Sequence, residues 1–153
     1  MATAPSGDRE HRIVVGVDGS AASKAALAWA VGEARRSDAV VDAVIAWEIP
    51  LALRTPWPPG LSIDFRGAAA SALAQAVAEI GDTADHVEIR SEVVQGNPAE
   101  VLLDASAGAD LLVVGNRGHG GFAQALLGSV GQHCVHHAAC PVVVVRDPVT
   151  SGR

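Results

Sequence analysis

Five short runs of aliphatic and β-branched residues recur along the chain, and polar or glycine-bearing turns separate them from stretches with helical spacing. The first, Arg12-Ile13-Val14-Val15-Gly16-Val17, is closed by Asp18-Gly19-Ser20, which predicts a strand, a turn and a helix cap. Ala25, Leu27, Ala28, Val31 and Ala34 then recur at helical spacing across residues 21–36, with Arg35 and Arg36 suited to a C-terminal turn. Residues 40–47 predict a second buried strand, and residues 67–80 return to helix. Between them, residues 48–64 carry Pro50, Pro56, Pro58, Pro59 and Gly60 and read as a long loop. A third strand is expected over 86–94, where Val87, Ile89 and Val93 supply its apolar face. Asn97-Pro98-Ala99-Glu100 then combines an N-cap, proline at the first helical position and an early acid, so a helix should run to about residue 107. Leu111 to Val114 is the fourth strand, residues 122–137 a fourth helix, and Cys140-Pro141-Val142-Val143-Val144-Val145 the fifth strand.

Alternating strands and helices predict an α/β fold. It is an open sandwich with a parallel sheet buried on both faces, because right-handed crossovers distribute helices over the two sides. With 153 residues, 49% hydrophobic and 18% charged, the chain suits one compact domain, expected over residues 12–147 with polar tails at 1–11 and 148–153. A net charge of −6 disfavours nucleic acid and anionic membrane surfaces, which require clustered Lys and Arg. The polar opening residues, the two cysteines Cys134 and Cys140 and the absence of a long apolar run lead to the expectation of a cytoplasmic protein.

The densest candidate chemistry follows strand four. Gly115-Asn116-Arg117-Gly118-His119-Gly120-Gly121 leads into a segment with Gly128-Ser129, so backbone N–H groups and the start of a helix are available to an anion. A nucleotide site is expected there. In open sheets of this kind the crevice lies at the carboxyl ends of the strands, so Gly16, Val17 and Asp18 would share the pocket if strands one and four are neighbours. Lys24, the sole lysine, lies in a stretch that lacks the Walker pattern, and no Gly-x-Gly-x-x-Gly follows strand one. A P-loop NTPase and a nicotinamide cofactor are thereby set aside.

The spacing Gly115-x2-Gly118-x9-Gly128-Ser129 resembles the nucleotide signature of ATP-binding universal stress proteins. Three further segments are similar to that family: the run from Ile13 through Asp18-Gly19-Ser20, the Gly96-Asn97-Pro98-Ala99 helix start, and the terminal Cys140-Pro141 with its valines. The resemblance covers nearly the whole chain. It implies a five-stranded sheet of order 3-2-1-4-5, related to adenine nucleotide alpha hydrolases, with ATP, with or without Mg2+, between the ends of strands one and four. It also implies that Gly16, Val17 and Asp18 meet the nucleoside and that Trp47 lines the adenine. Gly115, Asn116, Arg117, Gly118, His119, Gly120 and Gly121 would wrap the ribose and phosphates, with Gly128, Ser129 and Val130 binding phosphate. A homodimer through Val142–Val145 is implied as well, and a short apolar edge strand needs such a cover.

Plainer roles compete at each position. Asp18 also suits an Asx-turn, Trp47 a core position, Arg117 a solvated loop, Gly128 close helix packing and Ser129 a bond within its helix. His133, Cys134, His136, His137 and Cys140 cluster in sequence, yet the strict spacings of known zinc sites are missing, and no metal site is expected. With no phosphate lysine and no evident carboxylate to orient water, the expected role is regulatory, with slow ATP hydrolysis at most. The rivals are an adenylyl-transfer enzyme on a related fold, which would need a Ser-Gly-Gly-x-Asp-Ser-like loop after strand one, and an interaction module of the same fold without nucleotide.

Overall fold

The computed structural model describes residues 10–53, 63–117 and 127–147. Five parallel strands, β1 (Arg12–Gly16), β2 (Val40–Trp47), β3 (Ile89–Gln95), β4 (Leu111–Gly115) and β5 (Val142–Val145), form one sheet of order β3-β2-β1-β4-β5. Ile13 sits in register with Val41 on one side and Leu111 on the other, so β1 and β4 are neighbours, as the pocket at their ends requires. The strand order reverses between them.

The two-residue period of a strand assigns every apolar side chain to one of two cores. Ile13, Val15 and Val17, then Val41, Ala43 and Ile45, and Val113 face the first, where they meet α1 (Ala21–Ser37) and α2 (Phe65–Ile80) through Leu27, Val31 and Leu73. Val14, Val44, Leu112 and Val114 face the second, against α3 (Pro98–Ala105) and α4 (Ser129–His137) through Val101, Leu102 and Cys134. Beneath the sheet, the Arg12 guanidinium donates to Asp42 Oδ2 at 2.7 Å and to the Ala105 and Ala107 carbonyls, which ties β1, β2 and the end of α3 together.

Helix starts follow their caps. Ser20 Oγ accepts from the Ser23 N–H, and Asn97 Oδ1 accepts from the Ala99 and Glu100 N–H groups with Pro98 next in line. Helix α2 starts at Phe65, earlier than its periodicity predicts, because Asp64 caps it by accepting from the Gly67 N–H at 2.8 Å. Strand β3 begins at Ile89, not at residue 86: a 3-10 turn at Gly81–Ala84 and a positive φ of 69° at His86 redirect the chain first. Helix α4 begins only at Ser129; the earlier part of its predicted span, 122–126, lies outside the described residues, as does 54–62 of the proline-rich loop. Among the described residues, no helix is long and apolar enough to cross a membrane.

Candidate functional site

A cleft of about 270 Å3 opens where β1 and β4 end, at the topological reversal. Its floor belongs to the second core: Val44 and Ala46 of β2 and Val114 of β4, with Pro98 and Leu102 of α3 as one wall. Gly16, Val17, Asp18 and Ser23 form the β1 side; Gly115, Arg117 and the first turn of α4, Gly128 to Gly131, form the other. An apolar floor with a few convergent polar groups is the usual make-up of a small-molecule site.

Two glycines set its shape. A Cβ on Gly115 would lie 2.7 Å from the Ala22 backbone carbon, so β4 can approach α1 this closely only without a side chain. A Cβ on Gly16 would meet the Leu102 side chain at 2.7 Å, on the floor of the cleft. Gly115 thus has a packing reason of its own beside any ligand role.

Asp18 does two things at once. Its Oδ1 accepts from the Ser20 N–H at 2.9 Å, the Asx-turn, while its own N–H donates to Ser23 Oγ at 3.2 Å, and the residue still borders the cleft. The plain reading and the ligand reading are therefore compatible. Ser23, which sequence reasoning passed over, holds this corner by also donating to the Ser20 carbonyl.

Asn116 is only 8% exposed and does not line the cleft. Its N–H donates to the Val145 carbonyl, its carbonyl accepts from the Gly128 N–H at 2.7 Å, and its Oδ1 accepts from the Asp147 N–H. This one residue joins the end of β4, the exit of β5 and the start of α4. The Gly128 N–H, which no helical carbonyl would satisfy, is thereby engaged at the end of β4, and α4 starts at the next residue because Gly128 itself has extended backbone. Gly128 has extended backbone and makes no side-chain cap, so the first-turn N–H groups of Ser129, Val130 and Gly131 lack a carbonyl four residues back within their helix. They and the positive end of the helix dipole meet the cleft.

Arg117 is the one cationic side chain among the described lining residues, and its Nη2 lies 3.4 Å from Asp147 Oδ2. No sequence signal marked Asp147, which reaches the site only through the pairing of β4 with β5. Lys24 is directed elsewhere: its Nζ pairs with Glu79 of α2 at 3.4 Å. Gly118, His119, Gly120 and Gly121 lie outside the described residues.

Trp47 is not brought to this cleft. Strand parity sends it to the first core with Ile45, and its neighbour Ala46 lines the pocket instead. Among the described residues, no group hydrogen-bonds the buried Trp47 Nε1. Alternation along β2 carried this signal in the sequence, since Val44 and Ala46 share a face that Trp47 cannot.

Comparison with known proteins places these features in a family. The model of the universal stress protein family matches residues 10–146. Universal stress protein Rv2623 of Mycobacterium tuberculosis is 38% identical over 141 residues, covering 90% of this chain and 46% of its own length. The chain spans about half the length of the curated relatives it matches. Among solved structures, a universal stress protein in complex with cAMP is similar at 28% identity and a TM-score of 0.65, covering 90% of this chain and 98% of that one. Universal stress protein UspA from Lactobacillus plantarum is similar at 25% identity and the same TM-score of 0.65, with 90% and 99% covered. With its sheet order, its cleft and a match over nearly its whole length, the chain belongs to the universal stress protein family.

Proposed function

We propose that the chain binds an adenine nucleotide, ATP among its ligands, in the cleft between the ends of β1 and β4, and that occupancy regulates the protein in a stress response. The observation that carries this reading is the convergence of Asp18, Arg117 and the first turn of α4 on one apolar-floored cleft. The solved relative in complex with cAMP supports an adenine ligand class. Val44, Ala46, Leu102 and Val114 offer the apolar surface a base favours, and Arg117 and the α4 N–H groups offer the donors a phosphate needs. Gly118, His119, Gly120 and Gly121 are proposed to complete the phosphate loop. Asp18 is the carboxylate that would face the ribose or a phosphate-bound Mg2+.

The donors are mainly backbone, and the only lysine pairs away from the cleft, so the site is built to hold phosphate more than to transfer it. The proposed role is that of a cytoplasmic sensor with slow hydrolysis at most. A homodimer through β5 is part of the reading. That strand is at the sheet edge and exposes Val144 at 36%, an apolar edge that pairing with a second copy would cover.

The test is calorimetric titration of the purified chain with ATP and AMP, together with identification of any small molecule released on denaturation. Binding is expected for the wild type and lost in Gly128→Glu, whose extended backbone tolerates a side chain while the added carboxylate repels phosphate. No heat with either nucleotide and no adenine compound released would overturn the reading. Light scattering of Val144→Lys tests the dimer, with a shift to monomer expected.

A further inference from the structure

Residues 133–140 carry five metal-ligating side chains, His133, Cys134, His136, His137 and Cys140, and the fold separates them by exposure. Cys134 points inward and is fully buried in the second core, where burial pushes its thiol up to about 11. Cys140 lies beyond the helix end against the same core, and burial raises its thiol too. Packed into that core, Cys134 does not share the exposed face of the helix. The three histidines, in contrast, are all exposed. His133 and His137 stand one helical turn apart with ring centroids 4.5 Å from each other and planes inclined by 41°. The His136 ring is more distant, 6.4 Å from that of His137.

We propose that His133 and His137 form a two-imidazole chelate for a borderline divalent transition-metal ion on the exposed face of the second half of α4. Three physical features support it. Positions i and i+4 project from one helical face, the spacing by which paired histidines on a helix grip one ion. His137 is the last residue of the helix, where the carbonyl end of the helix dipole favours a cation. And α4, of sequence SVGQHCVHH, contains no lysine or arginine to repel one. Imidazole suits Cu2+, Ni2+ and Zn2+, with Cu2+ strongest, and does not suit Mg2+ or Ca2+.

The site is bidentate. No three metal-ligating side chains among the described residues converge on one ion, so water or a donor from another molecule completes the coordination. This distinguishes it from a closed structural zinc site, which takes four protein ligands. The two histidines are exposed and are not among the described residues that line the nucleotide cleft, with His133 about 6 Å along α4 from Ser129 for four residues at 1.5 Å each. An ion bridging His133 and His137 binds the folded helix and not the unfolded chain, so it should raise the melting temperature.

The test is calorimetric titration of the full, tag-free chain with NiCl2, repeated with MgCl2. One Ni2+ per chain is expected, with no Mg2+ binding at this site. Loss of even an outer-shell partner commonly costs roughly 10–100-fold in metal affinity, so His133→Ala and His137→Ala should each weaken Ni2+ by at least that much. His11→Ala, which removes an exposed histidine that pairs with Asp110 outside α4, should leave the affinity unchanged. Both rings of the pair are exposed, so their removal leaves the Gly131 and Cys134 packing of α4 intact, and circular dichroism verifies it. Wild-type Ni2+ affinity in the His133→Ala/His137→Ala double variant, or an equal loss in His11→Ala, would overturn the proposal.

Discussion

The two faces of the sheet are built from alternate residues of the same strands, yet among the described residues it is the second that floors the cleft. The first face lies under α1 and α2, helices of 17 and 16 residues, each about 25 Å long. The second lies under α3 and α4, of 8 and 9 residues and about 12–13 Å. A strand of five residues such as β1 or β4 spans about 17 Å, so the long helices cover it completely and the short ones do not. Among the described residues, the carboxyl end of the second face borders the cleft. The start of α4 at Ser129, where Gly128 is extended and bonds to Asn116, borders the cleft on one side.

The difference can be broken by cutting each core. Leu27 of α1 is fully buried in the sealed face, so Leu27→Ala leaves a closed void and should cost about 3–5 kcal/mol in urea unfolding. Leu102 borders the cleft at 6% exposure, so the void left by Leu102→Ala opens to solvent and the cost should fall near about 2 kcal/mol. Equal losses would mean that the two faces are equally closed.

Titration separates the faces next. The fully buried thiol of Cys134 belongs to the second core, and burial raises it from its ordinary 9.0 to about 11. An acid whose folded value is raised keeps its full contribution below the unfolded value and loses it as pH climbs through the folded one. Stability should therefore hold below about pH 9 and decline through pH 11 by roughly 2–3 kcal/mol, with the decline much reduced in Cys134→Ala. Melting temperatures of the two proteins across that range are the measurement.

The smallest contrast lies between two strand-end glycines. Gly115→Ala drives a Cβ into the Ala22 backbone, which cannot yield cheaply, and should cost about 1–3 kcal/mol. Gly16→Ala meets only the tip of Leu102, which can rotate toward the cleft; the cost should stay below about 1 kcal/mol while the floor narrows. Denaturation midpoints of the pair rank them directly.

Much of this was legible locally. Strand alternation, the Ser20 and Asn97 caps and the glycine spacing after β4 are all encoded within a few residues, and the sheet order followed once the family resemblance was seen. Asp64 as a cap is hard to read from the sequence because a proline-rich stretch precedes it, and Trp47, whose strand-end place suits a ligand wall, is sent by the parity of β2 to the first core.

What the sequence determined by itself is the set of elements, their order and the family, because these rest on periodicity and capping, which act over one or two helical turns. What only the tertiary structure decided is which residues meet. Arg117 finds Asp147 because β5 docks beside β4, Ala46 rather than Trp47 reaches the cleft because α3 and α4 cover that face, and His133 and His137 remain outside while Cys134 turns in. Those outcomes depend on the side of the sheet to which each helix crosses and the length it covers, and burial on a shared sheet settles that for all elements together.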